Sequence, residues 1–231
     1  TNDHPVNGQP TAQKWDPRLF HTVGMPTFPY KYDKEYTLTT ANSRTPNTYG
    51  YYTDMKCVPQ RSKGETYNGS WQAFAMNEYV IRYTESMLDR AEALIELGRL
   101  AEARTIINDI RRRAANSIKK HIEYAADQCE ISLYPESYFQ NKEMARKCLR
   151  WERRLEMGQE HERFFDLRRW GMLSTTLNAY FKREVNDSYN GQTYAQYYKD
   201  AHFTSGKNEY FPIPYNQLYY IPGLYTQNKG Y

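Results

Sequence analysis

Cysteine is scarce in this sequence, long apolar runs are missing and the charges nearly cancel, and each shortage removes a class of protein. The three cysteines among 231 residues, Cys57, Cys129 and Cys148, are odd in number and widely spaced. With no CxxC pair they indicate neither a disulfide framework nor a zinc site, and they leave the redox compartment open. No segment approaches the run of about 18 apolar residues that a membrane-spanning helix needs. The opening TNDHPVNGQP has no initiator Met, no apolar signal core and no lipid-attachment signal, so the chain reads as a piece of a longer precursor whose targeting segment lies elsewhere. Basic and acidic residues number 31 and 27, a net charge of +4. The basic clusters at 111–113, 150–154 and 168–169 alternate with Glu and Asp, the pattern of solvated or ion-paired helix faces. A nucleic-acid partner would require a one-signed stripe, so none is expected.

Catalytic motifs are equally sparse. The five histidines, at positions 4, 21, 121, 161 and 202, take no metal-binding spacing, and His161-Glu162 lacks the second His of an HExxH site. There is no Gly-rich phosphate loop and no nucleophile motif, so no metal, no cofactor and no enzymatic activity are expected. Glu152, Glu156, Glu160, Glu162 and Asp166 invite comparison with a glycosidase pair, in which two carboxylates at fixed separation cleave a glycoside. They are interleaved at helical spacings with Arg150, Arg153, Arg154, Arg163, Arg168 and Arg169, which favours a lattice of ion pairs holding two helices together. Arg82, Arg163 and Asp166 are assigned structural roles for the same reason.

Aromatic residues are abundant. They make up 16% of the chain, with Tyr alone occurring 23 times, and this argues against disorder despite a mean hydropathy of −0.93. Residues 1–76 combine Pro, Gly, Thr, Asn and Tyr without a sustained 3.6-residue period, so they read as loops and short strands, with a strand expected in NTYGYYTDMKCV. From Tyr79 the period becomes helical. Val80, Tyr83, Met87, Ala91 and Leu94 form one stripe ending at Gly98, and Leu100, Ala103, Ile107, Ile110 and Ala114 form a second. Ala91, Ala93, Ala101 and Ala103 are placed at the contact of the resulting antiparallel hairpin, which resembles a tetratricopeptide unit. A polar linker is expected from Ser117 to about Pro135. A third helix follows on Met144, Cys148, Trp151 and Leu155, and a fourth on Phe164, Phe165, Leu167 and Trp170 up to Gly171. Residues 172–231 are expected to form an extended tail, helical only over Leu173 to Lys182. The fold class is therefore mainly α: tetratricopeptide-like helical hairpins with long irregular loops and a few short strands.

Three segments taken in order carry a family resemblance: VIRYTESMLDRAEALIELGRLAEARTIINDIRRRA (80–114), WERRLEMGQEHERFFDLRRWG (151–171) and the terminal FPIPYNQLYYIPGLYTQNKGY. WDPRLFHTVG (15–24) and GYYTDMK (50–56) add weaker matches. Together they resemble the SusD/RagB family of nutrient-binding outer-membrane lipoproteins of Bacteroidetes. The chain departs from the family pattern at His161, at Ile221-Pro222 and at Lys229. The resemblance implies that residues 1–231 are the C-terminal region of such a protein, divided into an aromatic loop region (1–76), a helical core (77–171) and a loop-rich tail (172–231). It further implies a glycan ligand, a SusC-like TonB-dependent transporter as partner, a missing N-terminal half of the same protein, and a lipid-anchored position on the surface of the outer membrane. A peptide-capturing member of the same family is the alternative.

The family's binding residues vary with the glycan, so site residues have to come from chemistry. One face of a sugar ring is C–H and packs on aromatic rings, while its hydroxyls need polar partners. Trp15, Tyr30, Tyr32, Tyr36, Tyr67 and Trp71 are the candidate platforms, with Asp33 and Asn68 as neighbouring polar groups.

Overall fold

The computed structural model describes residues 14–43, 45–46, 50–60, 66–67, 73–74, 77, 79–186, 188–189, 192–193 and 195–231. These fall into two compact units, Thr1–His161 and Glu162–Tyr231.

The first unit begins with a short helix α1 (Leu19–Thr22), then β1 (Val23–Gly24), β2 (Pro29–Tyr30), β3 (Asp33–Thr37), β4 (Thr53–Asp54), β5 (Thr66–Tyr67) and β6 (Ala73–Phe74). β1 pairs with β4, β2 with β3 and β5 with β6, all antiparallel and two-stranded. The strand expected in 47–58 is thus the two-residue β4. At β1 the chains approach closely: a Cβ on Gly24 would sit 2.5 Å from the Thr53 methyl and 3.0 Å from Leu38. Gly24→Ala should therefore cost about 1–3 kcal/mol by overpacking, measured as a lower urea midpoint.

α2 (Tyr83–Glu96) and α3 (Leu100–His121) form the expected hairpin. Gly98, at φ +79°, lets the Arg99 N–H reach the Leu94 carbonyl at 2.8 Å while its own N–H reaches Ile95 at 3.1 Å, the Schellman closure of a helix. On α3 the stripe Ala103, Ile107, Ile110 and Ala114 is buried as expected. On α2 the phase differs: Thr84, Leu88, Ala91, Leu94 and Ile95 are buried, while Val80 and Tyr83 are 91% and 82% exposed. Ala91 and Ala103 are in the contact, whereas Ala93 and Ala101 face outward. α3 also runs through Ser117 to His121, shortening the expected linker to two 3-10 turns, Glu123–Gln128 and Glu136–Phe139.

α4 (Lys142–Glu156) starts at Asn141, whose side chain accepts from the Glu143 and Met144 amides at 2.7 and 3.3 Å. Its inward face is not the expected one. Ala145, Cys148, Leu149, Glu152, Arg153 and Glu156 are buried, and Trp151 and Met144 are exposed. The main core joins α2, α3 and α4 through Leu88, Ile95, Ile107, Leu149 and Phe139, and a second core gathers Phe20, Met25, Phe28, Ile122 and Ala125.

The second unit contains α5 (Arg163–Arg169), α6 (Leu173–Asn186), β7 (Ser188–Tyr189) paired with β8 (Gln192–Thr193), α7 (Ala195–Tyr198) and α8 (Tyr215–Tyr220), with Leu167, Leu173 and Phe203 as its core. The tail is thus more structured than expected. Side-chain amides hold its loops. Asn178 accepts from the Phe203 N–H at 2.8 Å and donates back to its carbonyl at 3.0 Å, and Gln227 does the same for Ile213 at 2.8 and 3.0 Å. In the first unit Asn108 clasps Tyr134 identically, at 2.9 and 3.1 Å. Each clasp mimics a strand neighbour, satisfying backbone groups where no sheet is available.

Candidate functional site

The loops before α2 are fastened to the helices by charge. Arg18 grips Asp16 through Nε and Nη2, both at 2.8 Å, and reaches Glu152 at 2.6 Å. Arg111 of α3 takes the other Glu152 oxygen at 2.8 Å, donates to the Ser132 carbonyl at 2.7 Å and lies over the Tyr134 ring. Glu156 receives Arg82 and Arg113, and Glu160 receives Arg82 and Lys56. Burial alone would push the Glu156 carboxyl up; Arg113, Arg18 and Arg82 outweigh it and hold it below the ordinary range. The expected ion lattice exists with different partners. Asp166 pairs with Arg169 as expected, whereas Glu152, Glu156 and Glu160 meet cations from α3 and the loops, and Arg153 pairs with Asp89. Glu152, Glu156, Glu160 and Asp166 are thus each committed to a cation, an arrangement suited to holding chain segments together.

This fastening supports the β2–β3 hairpin. Lys31 and Tyr32 occupy its turn with φ of 48° and 67°, both in the left-handed region that a two-residue turn matched to strand twist demands. Neither residue adopts that conformation without cost, so the turn must be held. Lys31 Nζ donates to the Lys56 carbonyl at 3.0 Å, and Tyr32 is locked through His21. His21 Nδ1 lies 2.7 Å from Tyr32 Oη and Nε2 lies 2.8 Å from Ser117 Oγ, which itself donates to the Ala114 carbonyl at 2.6 Å. Because the serine proton is committed, Oγ accepts from Nε2–H, and Nδ1 accepts from the tyrosine hydroxyl. His21 is therefore neutral and fully satisfied. Burial, then His121 and Lys56, push its pKa down to about 4 against the pull of Glu156 and Asp16.

Tyr30 and Tyr36 stand together on this hairpin, edge to face with ring centroids 6.0 Å apart. Both are half-buried, and Asn42 donates to Tyr36 Oη at 2.7 Å. Asp33 opposes Tyr30 in the ladder. Tyr32 points to the other side, its ring 5.4 Å from those of His21 and His121. Trp15 lies apart from the pair: its backbone bridges to Gln128 and Glu130 and its ring packs on the second core. Tyr67 lies in β5, its side chain outside the described residues, as are Asn68 and Trp71.

Next to the hairpin is a cleft of about 570 Å³ walled by α3, α1, Lys56 and the end of α4. Its α3 wall is Asp109, Arg112, Arg113, Asn116, Ser117, Lys120 and His121, successive turns of one polar face. Sequence reading did not join these residues into a site, because a polar helix face looks the same whether it meets bulk water or a cleft. The recurrence of polar residues every three to four positions was the only available sign. Among the described residues no group of His, Cys, Asp or Glu could hold a metal ion, and Cys57, Cys129 and Cys148 are free thiols.

The fold so described is that of a mainly helical protein built on a tetratricopeptide-like hairpin, with loops clamped onto it by buried ion pairs. The SusD family model matches residues 7–231, and the chain belongs to the SusD family. Among solved structures it is similar to a SusD superfamily protein from Bacteroides vulgatus, at 26% identity with a TM-score of 0.59. That match covers 95% of this chain and 41% of the other, so the chain spans well under half the length of that relative. No curated protein matches.

Proposed function

We propose that this chain is the C-terminal region of a surface glycan-binding protein that holds oligosaccharide without turnover and passes it to a SusC-like TonB-dependent transporter. The protein would sit on the outer membrane through a lipid on a part outside this chain; among the described residues no helix is long and apolar enough to cross a membrane. The observation that carries the reading is the Tyr30–Tyr36 pair on a clamped hairpin within a member of the SusD family. Two rings fixed at 86° to each other, with Asn42 and Asp33 beside them, offer an apolar platform and hydroxyl partners to one sugar ring. Trp15 and Tyr32 pack on the second core and not on this pair, and Tyr67 and Trp71 are the further candidates.

The test is calorimetric titration of the full chain with a panel of oligosaccharides, followed by the Tyr30→Ala/Tyr36→Ala double variant. At about 1 kcal/mol per ring, the double variant should bind about 30-fold more weakly with its urea midpoint little changed. Undiminished affinity in that variant would remove the pair from the site.

A further inference from the structure

The cleft beside the hairpin has a charge pattern that a neutral sugar would not use. Five cations and two carboxylates line it. Three of the cations are already committed: Arg18 to Asp16 and Glu152, Lys56 to Glu160, and Arg113 to Glu156 and Thr84. Both carboxylates are committed too, Glu156 to guanidinium groups and Asp109 to Arg112. What remains at the mouth is positive. Arg112 contacts Asp109 through Nη1 alone, leaving its other N–H groups for a ligand. Among the described residues Lys120 has no acidic partner and the Asn116 amide no side-chain partner, and both are exposed. Arg112, Asn116 and Lys120 lie one turn apart along α3, so their heads follow a line up one wall. His121 adds an exposed ring at the upper end, backed by Tyr32.

We infer that this cleft binds an acidic sugar residue of the glycan, its carboxylate or sulfate held between Arg112 and Lys120, its hydroxyls by Asn116 and its ring against His121. The inference rests on the glycan-binding reading and adds the substrate class. A volume of about 570 Å³ falls within the roughly 300–1,000 Å³ of small-ligand sites. A planar guanidinium takes a carboxylate or sulfate through paired N–H donors, and the lysine supplies a compact second charge. An anion here brings no repulsion from an uncommitted carboxylate.

The experiment titrates the full chain with tri-galacturonate, with a sulfated carrageenan tetrasaccharide, which carries no carboxylate, and with neutral galactotriose, each at low and at high salt. At low salt one of the two anionic sugars should bind at least tenfold more tightly than the neutral one, and the preference should shrink as salt screens the charges. Which of the two binds distinguishes carboxylate from sulfate. Lys120→Ala and Arg112→Ala should each cost about tenfold, the worth of one charge-assisted hydrogen bond, with Lys120→Arg restoring most of the affinity. Neutral and anionic sugars binding alike, or affinities indifferent to both alanine variants, would overturn the cleft assignment and leave the glycan reading standing. An acidic peptide of Asp and Glu binding as tightly as the sugar would also overturn it. If no oligosaccharide of any charge binds, the glycan reading itself falls, and the acidic-sugar assignment with it.

Discussion

Glu152→Ala should lower the stability of the unit ending at His161 by about 3–5 kcal/mol, the cost of stripping the partner from buried charges. Glu152 is 0% exposed and links Arg18 and Arg111, taking one guanidinium on each carboxylate oxygen at 2.6 and 2.8 Å. Without it the two cations face each other in a closed space, with Asp16 and a longer 3.4 Å contact to Glu156 beside Arg18 and the Ser132 carbonyl and the Tyr134 ring beside Arg111. The exposed Arg99–Glu102 pair is the control, since both members stay hydrated and Glu102→Gln should leave the urea midpoint in place. If Glu152→Ala moved the midpoint no further than Glu102→Gln, water would be reaching the two guanidinium groups and the network would not be the clamp described above. On the proposed glycan-binding reading, the same variant should weaken sugar binding, because Arg18 ties the segment that leads into the hairpin of Tyr30 and Tyr36.

The fate of Glu152 also shows what could be read in the sequence. The α3 stripe was legible because every residue in it is apolar and recurs at helical spacing, and Gly98 and Gly171 marked helix ends because each takes a positive φ there. α4 was read as a helix with the wrong face inward. Pattern reading builds the core from apolar residues, so Met144 and Trp151 were put on the inward stripe, and Glu152 and Glu156 in an ion-pair lattice between the third and fourth helices. The burial is reversed because five cations, Arg18, Lys56, Arg82, Arg111 and Arg113, converge from sites far apart in the chain, and no local period encodes that convergence. α2 shifted for a related reason. Its first apolar residues, Tyr79 to Ile81, precede the helix, so the stripe begins at Thr84 and Leu88 and not at Val80.

The site follows the same division. The composition of residues 1–76 was enough to nominate Tyr30, Tyr32 and Tyr36, since a Tyr-rich loop region with Asn and Asp is unusual in any chain. Their division of labour was not legible. Tyr30 and Tyr36 pair on one side of the hairpin, while Tyr32 turns back to His21. That depends on two positive φ values at Lys31 and Tyr32, residues with no glycine or asparagine to announce them. The cleft went unread for a further reason: its wall includes Ser117, Lys120 and His121, which looked like linker because the apolar stripe ends at Ala114.

Stability should also fall with acid in a window set by His21. Its folded pKa of about 4 lies below the ordinary value of 6.5. Between the two the unfolded chain binds a proton that the folded chain refuses. The contribution is therefore fully present above pH 6.5 and is lost as pH falls toward 4, amounting to about 3 kcal/mol at most. Depression of the Glu156 and Asp16 carboxyls acts in the same direction but at lower pH, below the usual carboxylate range. The groups facing His21 explain the sign. Burial comes first and His121 and Lys56 repel a second proton, which at Nδ1 would force the Tyr32 hydroxyl to turn from donor to acceptor, and Glu156 and Asp16 oppose the shift only in part. Urea midpoints of the chain should thus drop between pH 7 and pH 4.5, and His21→Gln, less stable at pH 7, should show a much flatter profile over that range. A wild-type midpoint constant from pH 7 to pH 4.5 would mean that the imidazole is charged or hydrated in the folded chain. Because the Tyr32 hydroxyl helps to hold the strained turn at Lys31 and Tyr32, protonating Nδ1 should also loosen the hairpin, and on the proposed reading sugar affinity at the Tyr30–Tyr36 platform should decline over the same pH range.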